Sequence, residues 1–388
     1  MNHPAFRSPA RPFFFQNWQE PLLCLAFAAI ALVGTTPGAH SETDPTQGRL
    51  ITSEAIAVNP VSLNVYAVNE PDDSVSVLEE RTGSTHSVKV GKGPVSLAVN
   101  PVTNRIYVVN AGSDSISVID GRNDTVMATI RERSGSHPYV LAVDDKANKV
   151  YITNTYSDAL TVIDGATNAA STLKTGSADG IAIDPRTHTI FLMSYEDPNI
   201  RLVNPATGAI AKIDVGPHLW GMVFDQALKT LYVAHTLDNN VVALNEKNYA
   251  LTVIPVGAIP CALAINPVTQ RLYVVNYRSR TLSVIRAGSG KTVATLPVGK
   301  NPQAVAVDSR HNVIYVANVH ENNVTVIDGA RDAILETRPA GRNPYALAVA
   351  AGTGNAFAAD DGEPPIFPLV SRGTTPRRPQ GGGNPLRP

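Results

Sequence analysis

Short apolar runs of four to six residues alternate with polar turns along most of the chain, from about residue 48 to residue 370. In one unit the runs are residues 96–100, 105–110, 115–119 and 125–130, which are rich in Val, Ile, Thr and Tyr and are separated by Pro, Gly, Asn and Asp. This pattern predicts β-strands joined by tight turns. No stretch of the array has a sustained 3.6-residue apolar period, so we expect no long helix there.

One phrase marks the second strand of every unit: an aromatic residue, two further residues that are mostly apolar, and a polar residue that is usually Asn. Successive copies lie 40 to 44 residues apart, and a fixed period in this range predicts a repeat architecture. Clear copies begin at Tyr107, Tyr151, Tyr273 and Tyr315, and weaker copies begin at Tyr66, Phe191, Tyr232 and Phe357.

The second strand of each unit is apolar on both of its faces. In residues 105–110, Ile106 and Val108 lie on one face, while Tyr107 and Val109 lie on the other. A sheet with one solvated face would alternate apolar and polar residues, so this strand is predicted to lie between two neighbouring sheets. The third strand alternates Ser with Ile and Val, which predicts a position nearer the solvent-exposed rim. We therefore predict an all-β fold, a β-propeller of four-stranded antiparallel blades.

The number of first strands favours eight blades, with seven as the alternative. First strands are predicted to begin near residues 55, 96, 140, 180, 221, 262, 304 and 346. The last unit has only three predicted strands, and residues 48–53 match a fourth. This N-terminal strand is predicted to complete the last blade and close the ring, which would cover two open sheet edges.

Three recurring elements resemble the YVTN-repeat β-propellers: the Tyr-Val-x-Asn phrase, a Val-Ile-Asp-Gly hairpin, and a Val-Gly-x-x-Pro approach to the next first strand, as at residues 298–302. The resemblance covers about residues 48–370. It implies an exported or cell-surface propeller similar in appearance to lactonase-like and quinoprotein-like propellers. Members of this family commonly have seven blades, so the count of eight departs from the usual pattern.

The two ends of the chain differ in composition from the array. Residues 22–34 form the only long apolar run, which is short for a membrane span but suits a signal peptide, and Arg7 and Arg11 precede it. We predict that residues 1–41 are a signal peptide, or an uncleaved anchor that would be the only membrane attachment. The propeller is then residues 42–370, exported to the periplasm or the extracellular space. The Pro/Gly/Arg-rich residues 371–388 are predicted to be a disordered tail.

Charge and cysteine content narrow the possible partners. Without the segments before residue 42 and after residue 370, the chain has 26 basic and 32 acidic residues, which argues against binding to duplex nucleic acid. Cys261 is the only cysteine of the predicted mature protein, so no internal disulfide is expected. We interpret Cys261 as a small buried residue, with a reactive thiol as the less favoured alternative. We expect a monomer.

The unusual side chains fall in loops that a propeller brings to one face. Loops from the fourth strand to the next first strand, and from the second to the third, share that face, and first strands line the central channel. Such a funnel is the default ligand site. His137 and His218 are the leading candidates, because each stands beside a strand that enters the channel. The ligand-binding candidates are His137, Tyr139, His218, Trp220, His235, Tyr277, Arg278, His320 and Tyr345.

No motif identifies a catalytic site, a metal site or a cofactor site. The chain has no Gly-x-Ser-x-Gly elbow, no His-Glu-x-x-His pair and no dinucleotide-binding pattern. Residues 288–292 resemble the end of a P-loop but lack its first glycine, and we interpret them as a turn. The asparagines of the phrase are predicted to cap turns. The acidic residues that end first strands, such as Asp144 and Asp184, are predicted to have the same structural role.

Two functions follow from these patterns. The first is an exported binding protein without a cofactor or metal that holds a protein, a glycan or a small molecule on the loop face and in the channel. The alternative is a lactonase-like or quinoprotein-like enzyme, a hydrolase or an oxidoreductase. Its site would use His137 or His218 with a channel carboxylate or a metal.

Overall fold

The computed structural model describes residues 53–369 and consists almost entirely of β-strands. Blades 1 to 4 are β1 (Ile56–Val58), β2 (Val65–Asn69), β3 (Ser74–Leu78) and β4 (Thr85–Lys89); β5 (Pro94–Asn100), β6 (Arg105–Asn110), β7 (Ser115–Asp120) and β8 (Thr125–Arg131); β9 (Pro138–Asp144), β10 (Lys149–Asn154), β11 (Ala159–Asp164) and β12 (Ala170–Lys174); β13 (Gly180–Asp184), β14 (Thr189–Met193), β15 (Asn199–Val203) and β16 (Ile210–Asp214).

Blades 5 to 8 continue the same order. They are β17 (Leu219–Asp225), β18 (Thr230–His235), β19 (Asn240–Asn245) and β20 (Leu251–Pro255); β21 (Pro260–Asn266), β22 (Arg271–Asn276), β23 (Thr281–Arg286) and β24 (Lys291–Pro297); β25 (Pro302–Asp308), β26 (Val313–Asn318), β27 (Asn323–Asp328) and β28 (Ala333–Pro339); β29 (Ala346–Val349), β30 (Ala356–Ala359) and β31 (Ile366–Leu369). Single 3-10 turns lie at Ser53–Ala55, Glu70–Asp72, Ala111–Ser113, Ala287–Ser289 and Val319–Glu321.

The eight sheets form a closed β-propeller. The first strand of each blade contacts the first strand of the next, from β1 through β5 and onward to β29, and β29 contacts β1. The prediction of eight blades is confirmed, and the alternative of seven is wrong. Blade 8 has three strands within the described residues. The predicted closing strand, residues 48–53, lies outside them except for Ser53, which begins a 3-10 turn.

The second strands form the packing layers between blades, as predicted. Tyr66, Tyr107, Tyr232 and Tyr273 are fully buried. The Tyr107 hydroxyl donates a 3.3 Å hydrogen bond to Oδ1 of Asn168 in blade 3, so the side chain crosses from one blade to the next. Burying a ring of this size on both sides of every sheet makes the interfaces between blades the hydrophobic core.

The phrase asparagines pair mainly with hydroxyls of the third strand. Ser115 and Ser117 are buried, and Nδ2 of Asn110 donates to their hydroxyls at 3.3 and 3.0 Å. Asn276 makes the equivalent bonds in blade 6, whereas Asn154 also donates to the backbone carbonyl of Ala159 at 2.9 Å, as predicted for a turn cap. The third strand lies nearer the rim than the second, as predicted, but its serines are buried and serve as partners of a buried amide.

On the opposite face, the polar residues that end the first strands clamp one blade to the next. Oδ1 of Asn100 accepts a bond from the amide of Val102, and its Nδ2 donates to Oδ1 of Asn148 in blade 3 at 2.7 Å. Asp184 has the same arrangement, since its Oδ2 accepts a 2.8 Å hydrogen bond from Nζ of Lys229 in blade 5. Partners such as Asn148 and Lys229 have positive φ, which places their side chains over the neighbouring strand end. The predicted structural role of these strand ends is confirmed.

Candidate functional site

Two kinds of loop meet on the predicted face, and backbone hydrogen bonds hold them together. The amide of Thr236, just after β18, donates to the carbonyl of His218 at 3.0 Å, and Tyr277 bonds Ile259 in the same way at 2.8 Å. His218 has φ 63° and His137 has φ 48°, so both lie in the left-handed region immediately before a first strand. For a residue other than glycine this conformation is uncommon. The loop bonds hold the backbones of His137 and His218 beside the starts of their first strands, because the carbonyl of each accepts a backbone amide of the neighbouring loop.

An aromatic cluster joins blades 4 and 5 at this entrance. The ring of Tyr195 lies 5.4 Å from that of His218 with a 60° tilt, and 6.2 Å from that of Trp220 at 80°. The carbonyl of Tyr195 accepts the His218 amide at 2.9 Å. Tyr195 is only 9% exposed, whereas His218 and Trp220 are half-buried. We call Tyr195, His218, Trp220 and His235 the blade 4–5 rim.

His235 lies beneath the loop that carries His218. It takes the place of the phrase asparagine and is 2% exposed. Its Nδ1 is 3.6 Å from a carboxylate oxygen of Asp238, and its Nε2 has no hydrogen-bond partner within residues 53–369. Burial lowers the pKa of His235, against the opposing effect of Asp238. The imidazole is therefore neutral near pH 7 and presents a free polar nitrogen.

Gly216 makes room for this imidazole. A Cβ at Gly216 would lie 3.0 Å from Cε1 of His235, and the residue has φ 93°. A larger side chain at position 216 would therefore press on the ring and strain the backbone.

Blades 4 and 5, which are neighbours, depart from the internal pairing of the repeat, as blade 8 also does with Asp360 and Phe367. In blades 2, 3, 6 and 7 the phrase asparagine bonds a hydroxyl seven residues later. Blade 4 has Ser194 and Arg201 at these two positions, and blade 5 has His235 and Val242. Both substitutions are buried or half-buried next to the aromatic cluster.

Arg201 is a buried cation that the sequence reasoning missed. It is 3% exposed, and its guanidinium donates to the carbonyls of Thr175 and Ser177 in the loop before blade 4. Burial lowers its pKa, while Asp197 and Asp179 oppose that effect. The signal was present in the sequence, because position 201 has Arg where the other repeats have Ser, Thr, Val or Phe.

Two more residues were not selected as candidates although they shape the site. Tyr195 is the centre of the aromatic cluster. Asp179 accepts hydrogen bonds from the Ser194 hydroxyl at 2.8 Å and from the Tyr195 amide at 3.1 Å. Asp179 thus fixes the loop that presents the Tyr195 ring.

The structure brings three of the nine predicted residues together, namely His218, Trp220 and His235. His137 is exposed in blade 3 with its ring 4.8 Å from that of Tyr156. Tyr139 is half-buried on β9, where burial and the carboxylates of Glu54 and Asp179 raise its pKa. The remaining four lie in other blades.

Those four residues differ in exposure. Tyr277 is buried, Arg278 is exposed, and Tyr345 is half-buried beside the core of blades 8, 1 and 2. His320 is exposed, and Nε2 of its imidazole lies 3.1 Å from Nδ2 of Asn301. Cys261 is buried against the carbonyls of Val275 and Pro302, as expected of a small packed residue.

Other sites were also sought in the described part of the chain. Within residues 53–369, no group of three or more His, Cys, Asp or Glu side chains is placed to hold a metal ion. A groove of about 540 Å³ beside Lys229 and Tyr249, and another of about 680 Å³ beside His86 and Asp124, lie on the opposite face. Neither groove includes a predicted site residue. No helix among the described residues is long and apolar enough to span a membrane.

Comparison with known proteins identifies the fold. No protein-family model matches the chain, and no curated protein matches it. Among solved structures, hydrazine synthase of Kuenenia stuttgartiensis is 20% identical with a TM-score of 0.55, over 87% of this chain and 99% of that one. The dihydro-heme d1 dehydrogenase NirN in complex with DHE is 14% identical with a TM-score of 0.66, over 80% and 74%. At these identities the likeness shows the β-propeller fold, and both named neighbours are enzymes.

Proposed function

We propose that the chain is an exported binding protein of the YVTN-repeat type, and that it holds its ligand at the blade 4–5 rim. One observation carries the proposal: in blades 4 and 5 the residues that replace the internal asparagine–hydroxyl pairing adjoin the aromatic cluster of Tyr195, His218 and Trp220. Export rests on the sequence pattern of residues 1–41, which lie outside the described residues.

The replacements have a cost in folding free energy. A buried polar group without a partner costs about 1–3 kcal/mol, and Nε2 of His235 is such a group. The phrase asparagines of blades 2, 3, 6 and 7 satisfy Nδ2 through a hydroxyl, and each also leaves one buried atom, its Oδ1, without a partner among the described residues. His235 differs from them in presenting an imidazole nitrogen beside an aromatic cluster. A bound ligand that hydrogen-bonds His235 would remove the cost.

Trp220 provides a direct test, because the chain has two tryptophans and the other is Trp18. In a full-length Trp18→Phe protein, the emission of Trp220 is recorded with hemin, pyrroloquinoline quinone, an acyl-homoserine lactone, choline and glucose. We expect at least one probe to give a saturable change. Restoring the repeat with His235→Asn and Val242→Thr should abolish that change, because it removes the imidazole nitrogen from the rim, while circular dichroism confirms that the fold is retained.

The proposal fails if no probe changes the emission, or if the restored variant binds as the parent does. As a matched control, Asn276→His in blade 6 introduces the same imidazole at the same register without the aromatic cluster. That variant should bind no better than the parent.

A second candidate function is the propeller enzyme, and the geometry at His235 favours it. Asp238 lies near Nδ1, and Nε2 of a neutral imidazole can act as a general base if a substrate reaches it. The two named structural neighbours are enzymes. Turnover of the lactone, or of a quinone with an electron donor, that is lost in His235→Asn would favour this candidate over simple binding. Elemental analysis and a visible spectrum of the purified protein would report any bound metal or coloured group.

A further inference from the structure

The blade 4–5 rim continues along the channel entrance to two groups of blades 3 and 4. Asp179, just before β13, bonds the amide of Tyr195, and it also acts electrostatically on the Tyr139 phenol of β9. Glu54, in the turn before β1, acts on the same phenol. The Asp179 carboxylate is therefore bonded to the loop whose Tyr195 ring contacts Trp220.

The aromatic rings of the rim lie at steep angles to one another and are not stacked in parallel. Tyr195 meets Trp220 at 80° and His218 at 60°, with centroids 6.2 and 5.4 Å apart. The face of each aromatic ring carries partial negative charge and attracts a cation within about 6 Å of its centroid. Rings at these angles present the partial negative charge of their faces in more than one direction.

Two carboxylates, Asp179 and Asp197, act on Arg201, the buried cation of this part of the rim. Arg201 is the cation that acts on Asp179, but its guanidinium is buried under the carbonyls of Thr175 and Ser177. Asp197 lies 3.9 Å from Arg201 and offsets its charge. His235, the imidazole beneath the rim, is held neutral. A phosphate or carboxylate ligand beside Tyr195 would be repelled by the charge of Asp179.

We propose that the ligand of the blade 4–5 rim is an organic cation with an alkylated ammonium head, which lies against Tyr195 and Trp220 beside Asp179. This inference rests on the proposed function and specifies its ligand class. An alkylated head suits the site because its methyl groups contact the rings while its charge remains within reach of the carboxylate. A ligand can reach the cluster through Trp220, which is half-buried.

Choline and its neutral isostere 3,3-dimethyl-1-butanol form the decisive pair of probes, because they differ mainly in charge. In the full-length Trp18→Phe protein, titration followed by Trp220 emission should give a choline affinity at least about tenfold higher than that of the alcohol. Asp179→Asn keeps an acceptor for Ser194 and Tyr195 but removes the charge, and it should weaken choline about tenfold without affecting the alcohol.

The control variant is Tyr277→Leu, which alters the residue at the register of Tyr195 in blade 6. It should leave choline binding unchanged, whereas Tyr195→Leu should weaken it about tenfold. Circular dichroism of each variant confirms that the fold is retained.

Equal affinities for choline and the alcohol, or no binding of either, would overturn the cation assignment. If hemin, the quinone or the lactone changes the Trp220 emission while choline does not, the cation assignment fails and the proposed site stands. If none of these probes changes the emission, both fail.

Discussion

Replacing Asp184 by Ala is expected to lower the free energy of unfolding by about 3 kcal/mol. Asp184 is completely buried, and it accepts bonds from Nζ of Lys229 at 2.8 Å and from the amide of Arg186 at 3.0 Å. Removing one partner of a buried ion pair leaves the other charge unpaired, which costs about 3–5 kcal/mol in proteins. The lower figure applies because Lys229 is partly exposed and keeps a second partner, with Oε2 of Glu246 lying 3.7 Å from its Nζ. The midpoint of urea unfolding measures the change.

Asn100→Ala is the matched control for this prediction. Asn100 makes the same turn bond and the same bond between blades, but both partners are neutral. We expect this variant to lose only about 1–2 kcal/mol. If both variants lose the same amount, the charge of the Asp184–Lys229 pair contributes nothing, and the explanation given for Asp184 is wrong.

At low pH, the free energies of unfolding of the wild-type protein and of Asp184→Ala are expected to become equal. Burial raises the pKa of Asp184, but hydrogen bonds from Lys229 and Arg186 outweigh it, and the net pKa lies below its usual value. A carboxylate of this kind contributes stability above its unfolded pKa and loses it as the pH falls through the folded pKa. The two unfolding midpoints should therefore converge at low pH. A constant difference down to pH 2 would contradict this.

The repeat period made the fold accessible from sequence, because each phrase marks one buried second strand and the number of phrases is the number of blades. The burial of Ser115 and Ser117 was missed, since alternating Ser and Ile in a strand is also typical of a solvated sheet. What distinguishes the two cases is the asparagine on the adjacent strand, which turns the hydroxyls into partners within the blade.

The candidate site was less accessible because its residues come from separate repeats. Tyr195 and His218 are adjacent only because the carbonyl of one accepts the amide of the other across a blade boundary. The left-handed conformation at His218 recurs at the same register in other blades, as at Ile259 and Asn301, so it belongs to the repeat and does not single out this site. Arg201 was detectable by alignment of the repeats. The role of Asp179 was not, because it depends on bonds to Ser194 and Tyr195 in a different loop.

Asp360→Asn is expected to remove a pH dependence of stability that arises in blade 8. Asp360 takes the place of the phrase asparagine and is 3% exposed. Burial raises its pKa to about 6, although the amide of Gly362 donates to its carboxylate at 2.7 Å and Arg342 lies nearby. The third-strand positions that hold hydroxyls in other blades are Pro365 and Phe367 here, so the side chain has no hydroxyl partner.

The sign follows from the raised pKa. The folded protein holds the proton more tightly than the unfolded chain, so this contribution is fully present below about pH 4 and is lost as the pH rises through about 6. A shift of this size corresponds to about 2–3 kcal/mol. Wild-type protein should therefore lose that amount relative to Asp360→Asn between pH 4 and pH 7, as measured by urea unfolding at each pH. Asn154→Asp, which places the same carboxyl in blade 3, should create a dependence of the same sign. Parallel stability profiles for wild-type protein and Asp360→Asn would show that Asp360 is ionised in the folded state throughout this range, and that burial does not control its charge.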